Sequence, residues 1–175
     1  MAATLVVMGV AGAGKTTLAR ALAARLDWAF LDADDLHPAA NVEKMRAGAP
    51  LSDADRAPWL EAVAGWIDAR LEAGEDAVVA CSALKRRYRA ALTAARPSVR
   101  IVYLEGSADL VAARMAERRG HYFPASLIAS QFAALEPPTP EEHAIVVDMA
   151  PPVEVQVGEV VAAMEERGPR HGAVR

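Results

Sequence analysis

Gly9-Val10-Ala11-Gly12-Ala13-Gly14-Lys15-Thr16 decides how this chain is read. The stretch fits G-x-x-x-x-G-K-[ST], the loop that wraps a polyphosphate. Residues 4–8, Thr-Leu-Val-Val-Met, are apolar and β-branched and read as a buried strand. Residues 17–26 are rich in Ala, Leu and Arg and read as a helix. The motif therefore lies between a strand and a helix, the setting its chemistry needs. Its glycines let backbone N–H groups turn inward, and the helix adds its positive end. Gly9, Val10, Ala11, Gly12, Ala13, Gly14 and Thr17 are expected around the nucleotide. Lys15 would supply charge to the β- and γ-phosphates, and Thr16 a hydroxyl for Mg²⁺.

Working outward, apolar runs alternate with helical patterns. Strands are expected at 28–31, 77–81, 99–104 and 144–148. Helices are expected at 39–47, from the Ser52 and Asp53 cap to Gly74, after Lys85 to about 95, at 108–118, from Ser126 to 135, and at 153–166. Pro58 should fall in the first turn of its helix or bend its start. Regular alternation implies an α/β layered fold with a parallel sheet and a ligand site beyond the strands' carboxyl ends. The length of 175 residues suits one domain, read here as 1–167 with a mobile tail at 168–175.

Composition narrows the classes. A net charge of −4 argues against nucleic-acid binding, and 53% hydrophobic residues argue against disorder. No stretch approaches the roughly 20 apolar residues of a membrane helix, and the N-terminal apolar run is too short for a signal peptide. The one cysteine, Cys81, cannot form an internal disulfide and suits the cytoplasm. It ends an apolar run, so packing explains it better than nucleophilic chemistry.

The chemistry follows the strand ends. Asp32 and Asp34 come after strand two. Phosphoryl transfer needs one acid for Mg²⁺, usually through water, and a group to orient and deprotonate the attacking hydroxyl. Strand three ends in Cys81-Ser82 rather than an acid, which moves the metal duty to Asp32 and Thr16 and argues against ATPases that need that acid. Arg114 and Arg118 share a helix face leading into Arg119-Gly120-His121, where arginines could close over ATP. Asp148 ends strand five and reads as structural or near the adenine. Lys44, Arg56, Lys85 and Arg89 are expected to border the acceptor pocket and suit an anionic acceptor. His37 and Asn41, four apart, could bind hydroxyls. Only Lys15, Lys44 and Lys85 are lysines among 19 basic residues, which points to places wanting a compact charge. Neither N-K-x-D nor D-x-x-G occurs, so a GTPase-like switch lacks its signatures.

These strings together resemble one family. Beside the phosphate loop stand Asp32-Ala33-Asp34-Asp35-Leu36-His37-Pro38, Asn41-Val42-Glu43-Lys44-Met45, Asp55-Arg56-Ala57-Pro58-Trp59-Leu60 and Cys81-Ser82-Ala83-Leu84-Lys85 with Tyr88-Arg89. Arg119-Gly120-His121-Tyr122-Phe123 and Ser130-Gln131-Phe132 complete the set. Over residues 4–166 the chain is similar to the gluconokinases, the ATP-dependent gluconate kinases of the shikimate-kinase-like group. The resemblance implies a three-layer P-loop NTPase fold with a five-stranded parallel sheet in the order 2-3-1-4-5. It also implies a helical acceptor-binding segment near 37–74 and a lid near 118–126. The implied reaction moves the ATP γ-phosphate to the 6-hydroxyl of D-gluconate with Mg²⁺, with Asp34 facing the hydroxyl and Lys15 and Arg118 assisting. Ser82 and Gln131 join the implied acceptor set. Relatives of this kind are often homodimers. A shikimate kinase would share the phosphate loop and D-x-D but not the DDLHP and CSALK strings. Ala11 and Ala13 stand where many relatives carry Ser; backbone N–H groups do the binding there.

Overall fold

The computed structural model of the chain describes residues 1–117 and 125–166. Five strands form one parallel sheet: β1 (Thr4–Met8), β2 (Ala29–Asp32), β3 (Ala77–Ala80), β4 (Val99–Glu105) and β5 (Ile145–Asp148), in the order β2-β3-β1-β4-β5. β1 is central, with Thr4 beside Ala77 on one side and beside Val99 on the other. Every residue of β1 is buried, which is why it reads as a continuous apolar run rather than an alternation.

Successive side chains of a strand point to opposite faces, and each face has its own core. Leu5 and Val7 pack with Val78, Val102 and Leu104 against α1 (Lys15–Leu26), α5 (Ala108–Glu117) and α7 (Val153–Glu166). Val6 and Met8 pack with Val79, Ile101 and Tyr103 against α3 (Asp53–Glu72) and α4 (Arg86–Thr93). The result is three layers, helix on sheet on helix. Two further helices, α2 (Ala39–Arg46) and α6 (Ala125–Ala134), flank the carboxyl edge of the sheet.

Several expected boundaries shift. β2 runs one residue later than expected and so includes Asp32. Pro58 lies inside α3, past its first turn. The α3 start is held by a capping box in which Ser52 Oγ accepts from Asp55 N at 3.1 Å and Asp55 Oδ2 accepts from Ser52 N at 2.8 Å. Ser126, expected as a cap, falls within α6, which begins at Ala125. Trp59 is buried as expected, and Trp66 is only partly so. The expected lid at 118–126 falls mostly outside the described residues, as do Arg118 itself and the tail at 168–175.

Among the described residues no helix is long and apolar enough to cross a membrane.

Candidate active site

The carboxyl end of β1 runs straight into the phosphate loop, and the loop's conformation follows from its glycines. Gly12 has φ 81°, and an added Cβ there would meet Met115 Sδ at 2.7 Å. Both the dihedral and the space call for glycine. α1 then starts at Lys15, so its first N–H groups face the loop.

A cavity of about 220 Å³ opens above this loop. Gly12, Lys15 and Thr16 line it, together with Asp32, Asp34 and Ser82 from the ends of β2 and β3. Lys15 Nζ donates to Val10 O at 3.0 Å. Burial pulls the Lys15 ammonium below the ordinary lysine value, opposed by the nearby Asp34 and Asp32 carboxylates. Thr16 Oγ1 donates to Asp32 Oδ2 at 2.9 Å, while Asp32 Oδ1 accepts from Asp34 N at 3.1 Å. One carboxylate thus joins the loop to the 3-10 turn at Ala33–Leu36 that carries Asp34. Partial loss of hydration at the cleft, then the like charge of Asp32, raise the Asp34 carboxyl above the ordinary range, with Lys15 opposing, although its side chain stays 80% exposed. Threonine hydroxyl and carboxylate are hard oxygen donors, a set that suits Mg²⁺ with most ligands left to water and phosphate. No cluster of three or more His, Cys, Asp or Glu suited to a metal occurs among the described residues.

On the far side of the loop, Gly12, Gly14 and Thr17 share a cavity of about 470 Å³ with Arg114 and residues 150–153. Arg114 Nη2 donates to the carbonyls of Met149 and Ala150, which fixes this helix to the segment after β5. Asp148 Oδ1 accepts from Ala150 N at 2.8 Å, so its role is to shape that turn.

A larger cleft of about 760 Å³ lies between the α2–α3 connection and α6. Arg56, Lys85, Tyr88, Ser130 and Gln131 are among its walls. Gln131 also bonds the phosphate loop, its Oε1 accepting from Ala11 N at 3.1 Å. Arg56 Nη1 donates to Leu51 O at 2.5 Å, and its guanidinium lies 5.8 Å from the Tyr88 ring centroid. Asp53 gathers Lys85 at 3.2 Å, the Arg87 guanidinium and the Tyr88 hydroxyl. That hub was not foreseen, because Asp53 reads from the sequence as a helix cap.

Three expected acceptor contacts are spoken for elsewhere. Arg89 is 1% exposed; its Nε and Nη2 pair with Glu142 at 2.6 and 2.9 Å, and its Nη1 donates to the carbonyls of Ala83 and Leu84. Arginine on the apolar face of α4, between Tyr88 and Leu92, is the sequence signal for such a pair. Lys44 forms a surface ion pair with Asp55 at 2.8 Å. That bond and the Ser52 cap hold the Asp55 carboxyl down at about 2. Asn41 is buried, donating to Asp55 O at 2.8 Å and facing His37 Nδ1 at 3.3 Å. Cys81 is buried and its thiol is pushed up to about 12 by that burial, as a packing residue should be.

Comparison with known proteins places the fold and the family. A family described as an AAA domain matches residues 5–138. The chain is 51% identical over 141 residues to the gluconokinase of Gluconobacter oxydans (strain 621H), covering 81% of this chain and 79% of that one. The crystal structure of a gluconokinase from Sinorhizobium meliloti 1021 superimposes with a TM-score of 0.86 at 41% identity, covering 94% and 92% of the two chains. The shikimate kinase of Aquifex aeolicus vf5 shares only the fold, at 16% identity and a TM-score of 0.55 over 93% and 96% of the chains.

Proposed function

Because the chain belongs to the gluconokinase family, we propose that it transfers the γ-phosphoryl group of ATP to the 6-hydroxyl of D-gluconate, releasing ADP and 6-phospho-D-gluconate. The observation that carries this reading is the convergence of Lys15, Thr16, Asp32 and Asp34 on one cavity beside a cleft walled by Arg56 and Lys85. Two cations beside a base suit an acceptor that is anionic at one end and carries a hydroxyl at the other.

Each residue then has a part. The backbone of residues 9–17 cradles the phosphates, with Arg114 beyond it toward the nucleoside. Lys15 neutralises charge on the transferring group. Thr16 and Asp32 would hold Mg²⁺, the latter through water, and that ion would neutralise charge on the β- and γ-phosphate oxygens. Arg56 and Lys85 take the gluconate carboxylate, and Ser82 and Gln131 its hydroxyls. Asp34 accepts the proton of the 6-hydroxyl as the new O–P bond forms and the bond to the ADP oxygen breaks. A reducing cytoplasm, which supplies ATP and keeps the buried Cys81 a free thiol, fits this reading.

A coupled ADP-release assay over sugar acids, shikimate and nucleoside monophosphates tests this. ADP release with gluconate is expected. Release with shikimate alone, or with no acceptor in the panel, would overturn the reading.

A further inference from the structure

The turn that carries Asp34 also carries His37, whose ring is held on three sides. It stacks on Trp59 with centroids 4.3 Å apart and planes 14° from parallel. Its Nδ1 lies 3.3 Å from Asn41 Nδ2, and its Nε2 lies 3.9 Å from Asp34 Oδ1. The side chain is 6% exposed.

Which ring nitrogen carries the proton follows from the far side of Asn41. Its Nδ2 sits 2.8 Å from the carbonyl oxygen of Asp55, a group that only accepts. A flipped amide would set two oxygens against each other, so the NH₂ group must face both partners. Facing a donor, His37 Nδ1 must present its lone pair, and the proton of the neutral ring is on Nε2. An imidazolium would turn Nδ1–H against the Asn41 N–H. Burial and the neighbouring Arg56 likewise hold the ring below its ordinary pKa, with Asp34 opposing. The platform is tied to the same turn, since Trp59 Nε1 donates to Ala33 O at 2.6 Å.

The geometry points to His37 as a positioning residue, a fixed Nε2–H donor aimed at Asp34 that orients its carboxylate toward the acceptor hydroxyl. This rests on the reading of Asp34 as the base. It also excludes a relay. The neutral ring offers Asp34 an N–H and no lone pair, so the proton taken from the acceptor does not pass to His37. The gap of 3.9 Å is longer than a hydrogen bond; in free enzymes catalytic hydrogen bonds are often long and close in the substrate complex.

Long-range ¹H–¹⁵N correlation of the labelled wild type reports the tautomer, with His37→Phe identifying the signal. A ring protonated on Nε2 is expected, and one protonated on Nδ1 would overturn the inference. His37→Phe keeps a flat ring against Trp59 and removes the N–H. Its kcat with gluconate should fall by about 10–100-fold, the scale of a slightly misplaced reacting group. KM for gluconate and MgATP should stay within about threefold, because the lost group acts on the chemical step. In an Asp34→Asn background the same change should cost almost nothing further, since both act through one carboxylate. Unchanged kcat, an effect on gluconate KM alone, or full additivity would each overturn it. Wild type inactive on gluconate would defeat the functional reading instead, and the spectrum would still test the proton's position.

Discussion

Arg89→Met should unfold this protein well before it weakens acceptor binding. The guanidinium is buried and makes two bonds to Glu142 and two to the carbonyls of Ala83 and Leu84. Methionine fills most of the volume but leaves the Glu142 carboxylate, 14% exposed, without its cation. Breaking one partner of a buried pair costs about 3–5 kcal/mol. At about 2–4 °C per kcal/mol for a chain of this size, the melting temperature should drop by roughly 6–20 °C. The bonds to Ala83 and Leu84 hold a turn in which Ala83 sits at φ 43°, so loosening should concentrate between Ser82 and Lys85. Removing Glu142 as well, in Arg89→Met/Glu142→Met, relieves the unpaired charge but takes the hydrogen-bond partners from Ala83 O and Thr139 N, each loss worth about 1–3 kcal/mol, while Leu84 O keeps its bond from Glu136 N. The double variant should therefore melt above Arg89→Met and below wild type. Linkage gives a second signature. Arg89 holds the Glu142 carboxyl below its ordinary 4.5, so the pair's stabilisation is full above that pH and is lost as pH falls through the lower folded value. The acid slope should flatten in Arg89→Met. Thermal and urea unfolding by circular dichroism, with gluconate KM measured at low temperature, decides the matter. If Arg89→Met melts within about 2 °C of wild type and its gluconate KM rises more than tenfold, Arg89 faces the acceptor and the buried-pair reasoning is wrong.

Other expectations are simpler to check. Lys15→Ala should melt near wild type yet lose at least about 10²-fold in turnover, because charge on the transferring group goes unanswered; steady-state kinetics with MgATP reads this. Asp34→Asn should bind MgATP about as well by calorimetry while turnover with gluconate falls by roughly 10²–10⁴-fold. Gly106→Ala would push a Cβ into Met149 Sδ and Cγ, a fully buried residue, and overpacking of this kind costs about 1–3 kcal/mol in urea unfolding.

What could be read from the sequence was whatever a local pattern encodes. The order of elements follows from periodicity and from glycines such as Gly48 and Gly74, both at positive φ. The phosphate loop is eight consecutive residues, so its chemistry is local too. Asp32 and Asp34 follow because strand ends converge in a parallel sheet. The partners of long side chains are a different matter. Arg89 and Glu142 are 53 residues apart, and Gln131 meets Ala11 across 120. Nothing near either residue says which distant group will face it. Lys44 and Arg56 look alike as surface cations, yet the Ser52–Asp55 cap draws Lys44 out to Asp55 while Arg56 stays on the cleft wall. Strand ends slip by a residue because pairing to a neighbour, as of Asp32 with Ala80, decides where β2 stops.

The central place of β1 has a consequence for how the molecule comes into being. β1 leaves the ribosome before both of its partners, the strands that begin at Ala77 and Val99. At a synthesis rate of about 5–20 residues per second, the second of those partners arrives roughly 5–20 s later. Until β3 emerges, Leu5, Val6, Val7 and Met8, each at most 1% exposed in the finished fold, have no strand to pair with. Pairing Thr4 with Val99 spans just over half of the chain, the kind of non-local pairing that slows folding. Until then Leu5–Met8 is a bare apolar edge, and a crowded nascent pool would select for whatever keeps it covered.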